Sequence, residues 1–151
     1  MRTLWVVTIV STFVSVLSSR IAEVFLERHI ALLRNFIGLQ LSYNSGVAFG
    51  MTLPEPFQTI LILSALLLVG WMGWRYAHTS LLRGGFGLIT GGAIGNLFDR
   101  WGDGLVTDYI QVQMFSTFNI ADVCISIGFG ILILSSFCSI GGFSFLGKRK
   151  A

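Results

Sequence analysis

Four long apolar segments constrain what this 151-residue chain can fold into more strongly than any other feature. They run over residues 3–19, 57–76, 81–98 and 119–137. A helix of about 20 apolar residues spans the hydrocarbon core of a bilayer. The chain is 54% hydrophobic and only 11% charged, whereas about 25% of the residues of a soluble domain are charged. We therefore predict an α-helical membrane protein in which residues 1–151 form a single domain around a four-transmembrane-helix bundle.

The first apolar segment also fits a secretory signal peptide, because the basic residue Arg2 precedes it. No cleavage site of the A-x-A kind follows it, however, and Ile21, Val24 and Phe25 continue the apolar pattern at helical spacing beyond Arg20. We predict that the segment is retained as the first span and that its helix continues into the membrane interface.

Basic residues at the ends of the spans predict the orientation of the chain, since cytoplasmic loops of membrane proteins are enriched in lysine and arginine. Arg2, the loop that carries Arg75 and Arg83, and the terminal run 148–150 all fall on one face. We predict that this face is cytoplasmic and that both termini lie on it. The loop over residues 99–118, with three aspartates and one arginine, then lies outside.

Several residue types argue against other kinds of site. The formal charge of +3 is small and scattered, so we expect no nucleic-acid partner. Cys124 and Cys138 are 14 residues apart in the last apolar segment, which separates them by about 21 Å along a helix, so we expect free thiols. His29 and His78 have no partner at metal-ligand spacing, and we expect neither a metal nor a cofactor.

A change of period marks the connection between the first two spans. From residue 36 to 44 the apolar residues Leu39, Leu41 and Tyr43 alternate with polar ones, which predicts a strand at the membrane surface. Pro56 then favours the start of the next helix.

The third span carries glycine at every fourth position, at Gly87, Gly91 and Gly95. Residues at that spacing lie on one side of a helix and let a neighbouring helix approach closely in lipid. We interpret this glycine ridge as a packing surface rather than a phosphate-binding loop, since no strand precedes it.

Acidic residues are concentrated around the loop between the last two spans. Carboxylates at the rim of a bilayer are costly unless they are partnered or hydrated, so they are functional candidates. Asp99 next to Arg100 fits a structural ion pair or an interfacial anchor, and Asp103 between two glycines fits a turn. Asp108 and Asp122 remain without such an explanation.

Residue types alone leave three interpretations of Asp108 and Asp122. Two facing carboxylates can share one proton and activate a water for hydrolysis, which describes a peptidase. The same pair could serve a small proton- or cation-coupled transporter, although no span has a charged residue near its middle. A non-catalytic assembly subunit built on the glycine ridge would give no reason for two acids beside Asn96 and Asn119.

Four motifs, in order and between the predicted spans, narrow this choice. They are NSGVAF at 44–49, GGAIGNLFDR at 91–100, VTDYI at 106–110 and FNIAD at 118–122. Together they resemble lipoprotein signal peptidase, or signal peptidase II, a family of bacterial inner-membrane aspartyl peptidases. They cover roughly a quarter of the chain, and the layout of the spans matches over nearly all of it.

The resemblance implies that Asp108 and Asp122 are the catalytic dyad, with neither metal nor cofactor. It further implies that a set of residues shapes the cleft or holds the substrate: Asn44, Gly46, Asn96, Asp99, Arg100, Asn119 and Ala121. The strand before Asn44 would belong to a small periplasmic β-cradle, beside an interfacial loop.

The implied substrate is a prolipoprotein with a diacylglyceryl cysteine, cut on the N-terminal side of that cysteine by an enzyme in contact with membrane lipid. The implied location is the bacterial cytoplasmic (inner) membrane, with the active site at its periplasmic face, and we expect a monomer. One departure is plain: the family usually has an aspartate, followed by a lysine, near the outer end of span one. This chain has Ser18, Ser19 and Arg20 there, and Arg20 or Glu23 is the candidate to compensate.

Overall fold

The fold is taken from a computed structural model that describes residues 1–34, 36–46, 54 and 56–140. The predictions for residues 47–49 and for the basic run 148–150 therefore lie outside the described residues, as does the side chain of Cys138. The described elements, in chain order, are α1 (Arg2–Phe25), β1 (Ile30–Leu33), β2 (Ile37–Asn44), α2 (Phe57–Tyr76), α3 (Ser80–Arg100), β3 (Val106–Val112) and α4 (Ile120–Ile140).

Three helices, α1, α2 and α4, are long and apolar enough to cross a membrane. The bounds of α2 are those predicted, and α1 continues past residue 19 to Phe25, as its apolar pattern indicated. The third predicted span, α3, has 21 residues but is not among these helices. Six glycines and three charged residues lower its hydropathy. Its crossing of the membrane stays a prediction.

Helix α3 packs against each of the other three helices, and its glycines make the closest approaches possible. A Cβ atom on Gly91 would lie 1.9 Å from Ser11 Oγ, and one on Gly92 would lie 2.5 Å from the backbone oxygen of Ala121. Thr12 Oγ1 also donates to the backbone oxygen of Gly91 at 3.1 Å. The predicted packing role of the glycine ridge is thus confirmed, because no larger residue fits against α1 and α4.

The three strands form one antiparallel sheet in the order β1-β2-β3. The strand predicted over 36–44 is confirmed as β2, whereas β1 and β3 were not predicted as strands. Exposure does not follow the alternation of residue types to the end of β2, since Tyr43 is 55% exposed while Leu39 and Leu41 are partly buried. A register shift between Leu39 and Ser42 explains this, because an irregularity in a strand changes which face the following side chains point to.

Contacts of Tyr109 fix the sheet to one end of the helix bundle. Its ring is buried with Ala22 and Leu26, near the end of α1. Its hydroxyl donates to Ser18 Oγ at 2.7 Å and accepts from the backbone N–H of Ile120 at 3.3 Å. Strand β3 is therefore tied both to the end of α1 and to the start of α4.

Candidate active site

Two aspartates come together at the end of the bundle that carries the sheet. Asp108 lies in β3, opposite Ser42 of β2, and is only 2% exposed. After β3 the chain reverses direction and pairs with the strand. The backbone N–H of Ile110 donates to the oxygen of Phe118 at 2.8 Å, and the N–H of Phe118 donates to the oxygen of Ile110 at 3.0 Å. This return places the first turn of α4, and with it Asp122, beside Asp108.

Asn119 joins the two carboxylates directly. Its side-chain amide donates to Asp108 Oδ1 at 3.1 Å, and its backbone N–H donates to Asp122 Oδ2 at 3.3 Å. Its side-chain oxygen accepts from the backbone N–H of Asp122 at 3.0 Å. This reciprocal arrangement is the hydrogen-bonding pattern of a capping box, which fixes the start of a helix. The same buried residue thus begins α4 and orients both acids.

Two further asparagines complete the network, one for each carboxylate. Asn44 Nδ2 donates to Asp108 Oδ2 at 3.1 Å, and Asn96 Nδ2 donates to Asp122 Oδ1 at 2.9 Å. Asn119 Nδ2 also donates to Asn96 Oδ1 at 3.0 Å. Each carboxylate therefore has two hydrogen-bond donors, and β2, α3 and the start of α4 converge on the pair.

The surroundings of the two acids differ electrostatically. Burial raises the pKa of Asp108 to about 6, against the lowering effect of the hydrogen bond from Asn44. The negative charge of Asp122 raises this pKa further, and the positive charge of Arg100 lowers it. Asp122 lies in the first turn of α4, where the positive end of the helix dipole favours a negative charge. Asp108 is thus the better candidate to be protonated.

Arg100 and Gly46 also lie at this site. The Arg100 guanidinium donates through Nη2 to the backbone oxygen of Gly46. The backbone N–H of Gly46 in turn donates to Asn44 Oδ1 at 2.8 Å. The turn after β2 is thereby held against the end of α3, and these three predicted residues are brought together with the dyad.

Asp99 and Arg100, which sequence position suggested as an ion pair or as an interfacial anchor, contact different partners in the structure. Neighbours in a helix point about 100° apart and do not face each other. Asp99 Oδ2 instead accepts from the backbone N–H of Thr107 at 2.6 Å, so it holds β3. Arg20 and Glu23, both on α1, form an ion pair at 2.7 Å.

The remaining predicted residues have packing or turn roles in the structure. Ala121 is buried in the close contact between α3 and α4 that Gly92 allows. Asp103 is exposed and accepts from the backbone N–H of Leu105 at 2.9 Å, which confirms the predicted turn. Within the described ranges, no three His, Cys, Asp or Glu side chains are grouped so that they could hold a metal ion.

Glu23 and Thr107 contact each other, which was not predicted from the sequence. Thr107 Oγ1 donates to Glu23 Oε1 at 2.8 Å, and Glu23 Oε2 accepts from Arg20 Nη1 at 2.7 Å. The acid that sequence reasoning named as a possible replacement therefore reaches β3 from α1. Two sequence features could have indicated this contact. They are the acid in the last turn of α1 and the hydroxyl residue directly before Asp108.

An apolar cleft of about 340 Å³ lies between α2, α3 and α4 and reaches the site. Asn96 and Arg100 line it together with side chains that are almost all apolar, such as Ala65 and Phe129. The site is thus buried toward the sheet and connected to an apolar space along the helices.

The signal peptidase (SPase) II family model matches residues 4–138 of this chain. The lipoprotein signal peptidase of Aquifex aeolicus (strain VF5) is 36% identical over 138 residues, covering 85% of this chain and 82% of the relative. That of Symbiobacterium thermophilum is 35% identical over 116 residues, covering 72% of this chain and 76% of the relative.

A solved structure, described as a bacterial membrane enzyme studied by the in meso method, has the same fold. Its TM-score is 0.86 at 20% identity, and the alignment covers 99% of this chain and 96% of that one. With a family match that extends over most of its length, the chain belongs to the signal peptidase II family.

Proposed function

We propose that this protein is an aspartic endopeptidase that removes signal peptides from prolipoproteins carrying a diacylglyceryl cysteine, cutting on the N-terminal side of that cysteine. The family match and the curated relatives, named lipoprotein signal peptidases, support the reaction. The observation that carries the aspartic mechanism is the joining of Asp108 and Asp122 through Asn119.

The different surroundings of the two acids support distinct roles in the reaction. Asp122 acts as the general base and takes a proton from a water whose oxygen attacks the scissile carbonyl carbon. Asp108, protonated, donates its proton to the carbonyl oxygen as the C–O bond forms. The tetrahedral intermediate then collapses, the C–N bond breaks, and the proton held by Asp122 passes to the leaving amine. The carbonyl oxygen returns its proton to Asp108.

The cleft beside Asn96 and Arg100 is proposed to take the apolar part of the substrate. A lipid-anchored substrate reaches such an apolar space by lateral diffusion in the membrane, with its scissile bond at the interface. Arg100 and Asn96 carry donors at the end of this cleft, where they are suited to hold the substrate backbone. Membrane lipid and the prolipoprotein are thus the partners that we propose, for an enzyme acting as a monomer.

We propose that the protein lies in the bacterial inner membrane with both termini cytoplasmic, α3 as the third of four spans and the dyad at the periplasmic face. Single cysteines test this orientation in a variant without Cys124 and Cys138. A cysteine at exposed position 103 should react with an impermeant maleimide added from the periplasmic side, and one at exposed position 78 should not. The opposite labelling pattern would overturn the orientation.

The transporter interpretation is not supported by the family match. The two carboxylates also lie at one end of the bundle, beside the sheet, rather than midway along the helices.

Reconstituted protein and a purified precursor test the proposed activity. The precursor with a diacylglyceryl cysteine should be cut on the N-terminal side of that cysteine, as read by mass spectrometry. The same precursor without the lipid should be cut far more slowly. Cleavage at another bond, or none in the lipidated precursor, would refute the proposal.

A further inference from the structure

We propose that Glu23 is a positioning residue, which aims Asp108 at its partner through Thr107. This inference rests on the proposed function, since it concerns the activity of the dyad. Glu23 lies on α1, and its carboxylate accepts a hydrogen bond from the Thr107 hydroxyl at 2.8 Å. Thr107 directly precedes Asp108 in β3 and is 3% exposed. No substrate contact by Glu23 is needed for this role.

The geometry of a strand links the two neighbours. Successive side chains of a strand point to opposite faces, so Thr107 and Asp108 are turned away from each other. Fixing the side chain of Thr107 toward α1 therefore fixes Asp108 toward the other face. The pairing of β2 with β3 is irregular between Leu39 and Ser42, and Ser42 is the partner of Asp108. The backbone pairing alone therefore defines the position of Asp108 poorly, and the side-chain bond from Thr107 to Glu23 helps to fix it.

Thr107 is held at three different atoms. Besides the bond from its hydroxyl to Glu23, its N–H donates to Asp99 at 2.6 Å and its carbonyl oxygen accepts from Asn119 at 3.4 Å. Two of the three partners are carboxylates, and hydrogen bonds to charged groups are stronger than neutral ones. Helices α1 and α3 and the start of α4 therefore converge on the residue next to Asp108.

Glu23 is itself held in place by Arg20, whose guanidinium lies 2.7 Å from the other carboxylate oxygen. One carboxylate oxygen of Glu23 therefore accepts from Thr107, and the other accepts from Arg20. Arg20 and Glu23 on α1 thus form a chain of contacts that ends at Thr107 of β3.

A double-mutant cycle tests the proposal in the full-length protein, with the lipidated precursor as substrate. Glu23→Ala and Thr107→Val should each lower kcat about tenfold and leave KM unchanged, since the loss affects orientation rather than binding. Together they should cost no more than either alone, because both remove the same bond. Thr107→Ser and Glu23→Gln, which keep the hydroxyl and an acceptor oxygen, should retain most of kcat. Glu27→Ala, at an exposed acid of the same region, is the matched control and should have no effect.

Additive losses in the double variant, a rise in KM with kcat unchanged, or full activity of Glu23→Ala would each overturn the inference. Asp108→Asn is measured in the same assay to separate two failures. An inactive Asp108→Asn beside a fully active Glu23→Ala would refute the positioning role alone. Full activity of Asp108→Asn would refute the proposed function.

Discussion

Asn119 is 1% exposed, and its side-chain amide lies 3.1 Å from the carboxylate of Asp108. The same residue caps α4 through its side-chain oxygen. A buried amide that loses such partners carries the full penalty of desolvation, so the helix start and the position of Asp108 are coupled. One side chain thereby serves both the fold and the proposed chemistry.

Replacing Asn119 should therefore damage stability and activity together. We expect Asn119→Ala to lower the free energy of unfolding by about 2–4 kcal/mol, since several buried hydrogen bonds are lost. We expect kcat to fall at least a hundredfold, beyond what the loss of stability explains. Thermal unfolding and precursor processing measure the two effects, and Ser116→Ala, in the exposed part of the same loop, is the control. A stable and fully active Asn119→Ala would contradict the account.

The pKa of Asp108 predicts a descending limb in the pH profile. Burial raises this pKa from 3.8 to about 6, and the proposed role needs the protonated form. The acid therefore loses its proton, and kcat/KM falls, as the pH rises through about 6. Substrate binding excludes more water, so the same limb in kcat should lie at higher pH. An activity that rises across this range would exclude Asp108 as the acid.

The hydrogen bond from Asn44 gives a direct test of that assignment. Its amide stabilises the ionised form of Asp108 and so lowers the pKa. Asn44→Leu should therefore raise this pKa and move the descending limb of kcat/KM to higher pH. A limb that moves to lower pH, or stays in place, would show that another group titrates.

Close packing of α1 on α3 makes Gly91 intolerant of any side chain. A Cβ atom there would meet the Oγ of Ser11, which can turn away, and also the backbone oxygen of Thr8 at 2.6 Å, which cannot. We expect Gly91→Ala to lower the free energy of unfolding by about 1–3 kcal/mol. Gly84 of the same helix has open space around it, and Gly84→Ala should be neutral or stabilising. Thermal unfolding in detergent compares the two, and equal effects would contradict the packing.

The apolar cleft predicts an effect on KM that depends on which side of α2 is changed. Ala65 lines the cleft, whereas its exposed neighbour Ser64 is not among the lining residues. Ala65→Leu should narrow the cleft and raise KM for the lipidated precursor several-fold with little change in kcat. Ser64→Leu should leave both constants near those of the unchanged protein. Similar kinetics for the two variants would place the substrate elsewhere.

Patterns within a single element were readable from the sequence. The bounds of α2, the extension of α1 and the packing role of Gly91 all follow from local apolar spacing or from residue size. The approach of Asp108 to Asp122 was inferred from the motifs and is present in the structure, joined by Asn119.

Pairings between distant segments were not readable. Strand β1 has four exposed residues and no alternation, so nothing local distinguishes it. The contacts of Asp99 and Glu23 with Thr107 are set by where β3 lies against α1 and α3. Sequence position alone did not predict either contact. Such contacts follow from tertiary packing, which a periodic pattern does not encode.

Processing of a diacylglyceryl-modified precursor by Asp108→Asn and Asp122→Asn tests the central claim most directly. Each change keeps the size of the side chain and removes its acid function, so both variants should insert and fold as the unchanged protein does. The account predicts that neither variant cuts the precursor, with a chelator present or absent, while the unchanged protein cuts it in both conditions. Full processing by either variant, or activity of the unchanged protein that a chelator removes and zinc restores, would contradict it.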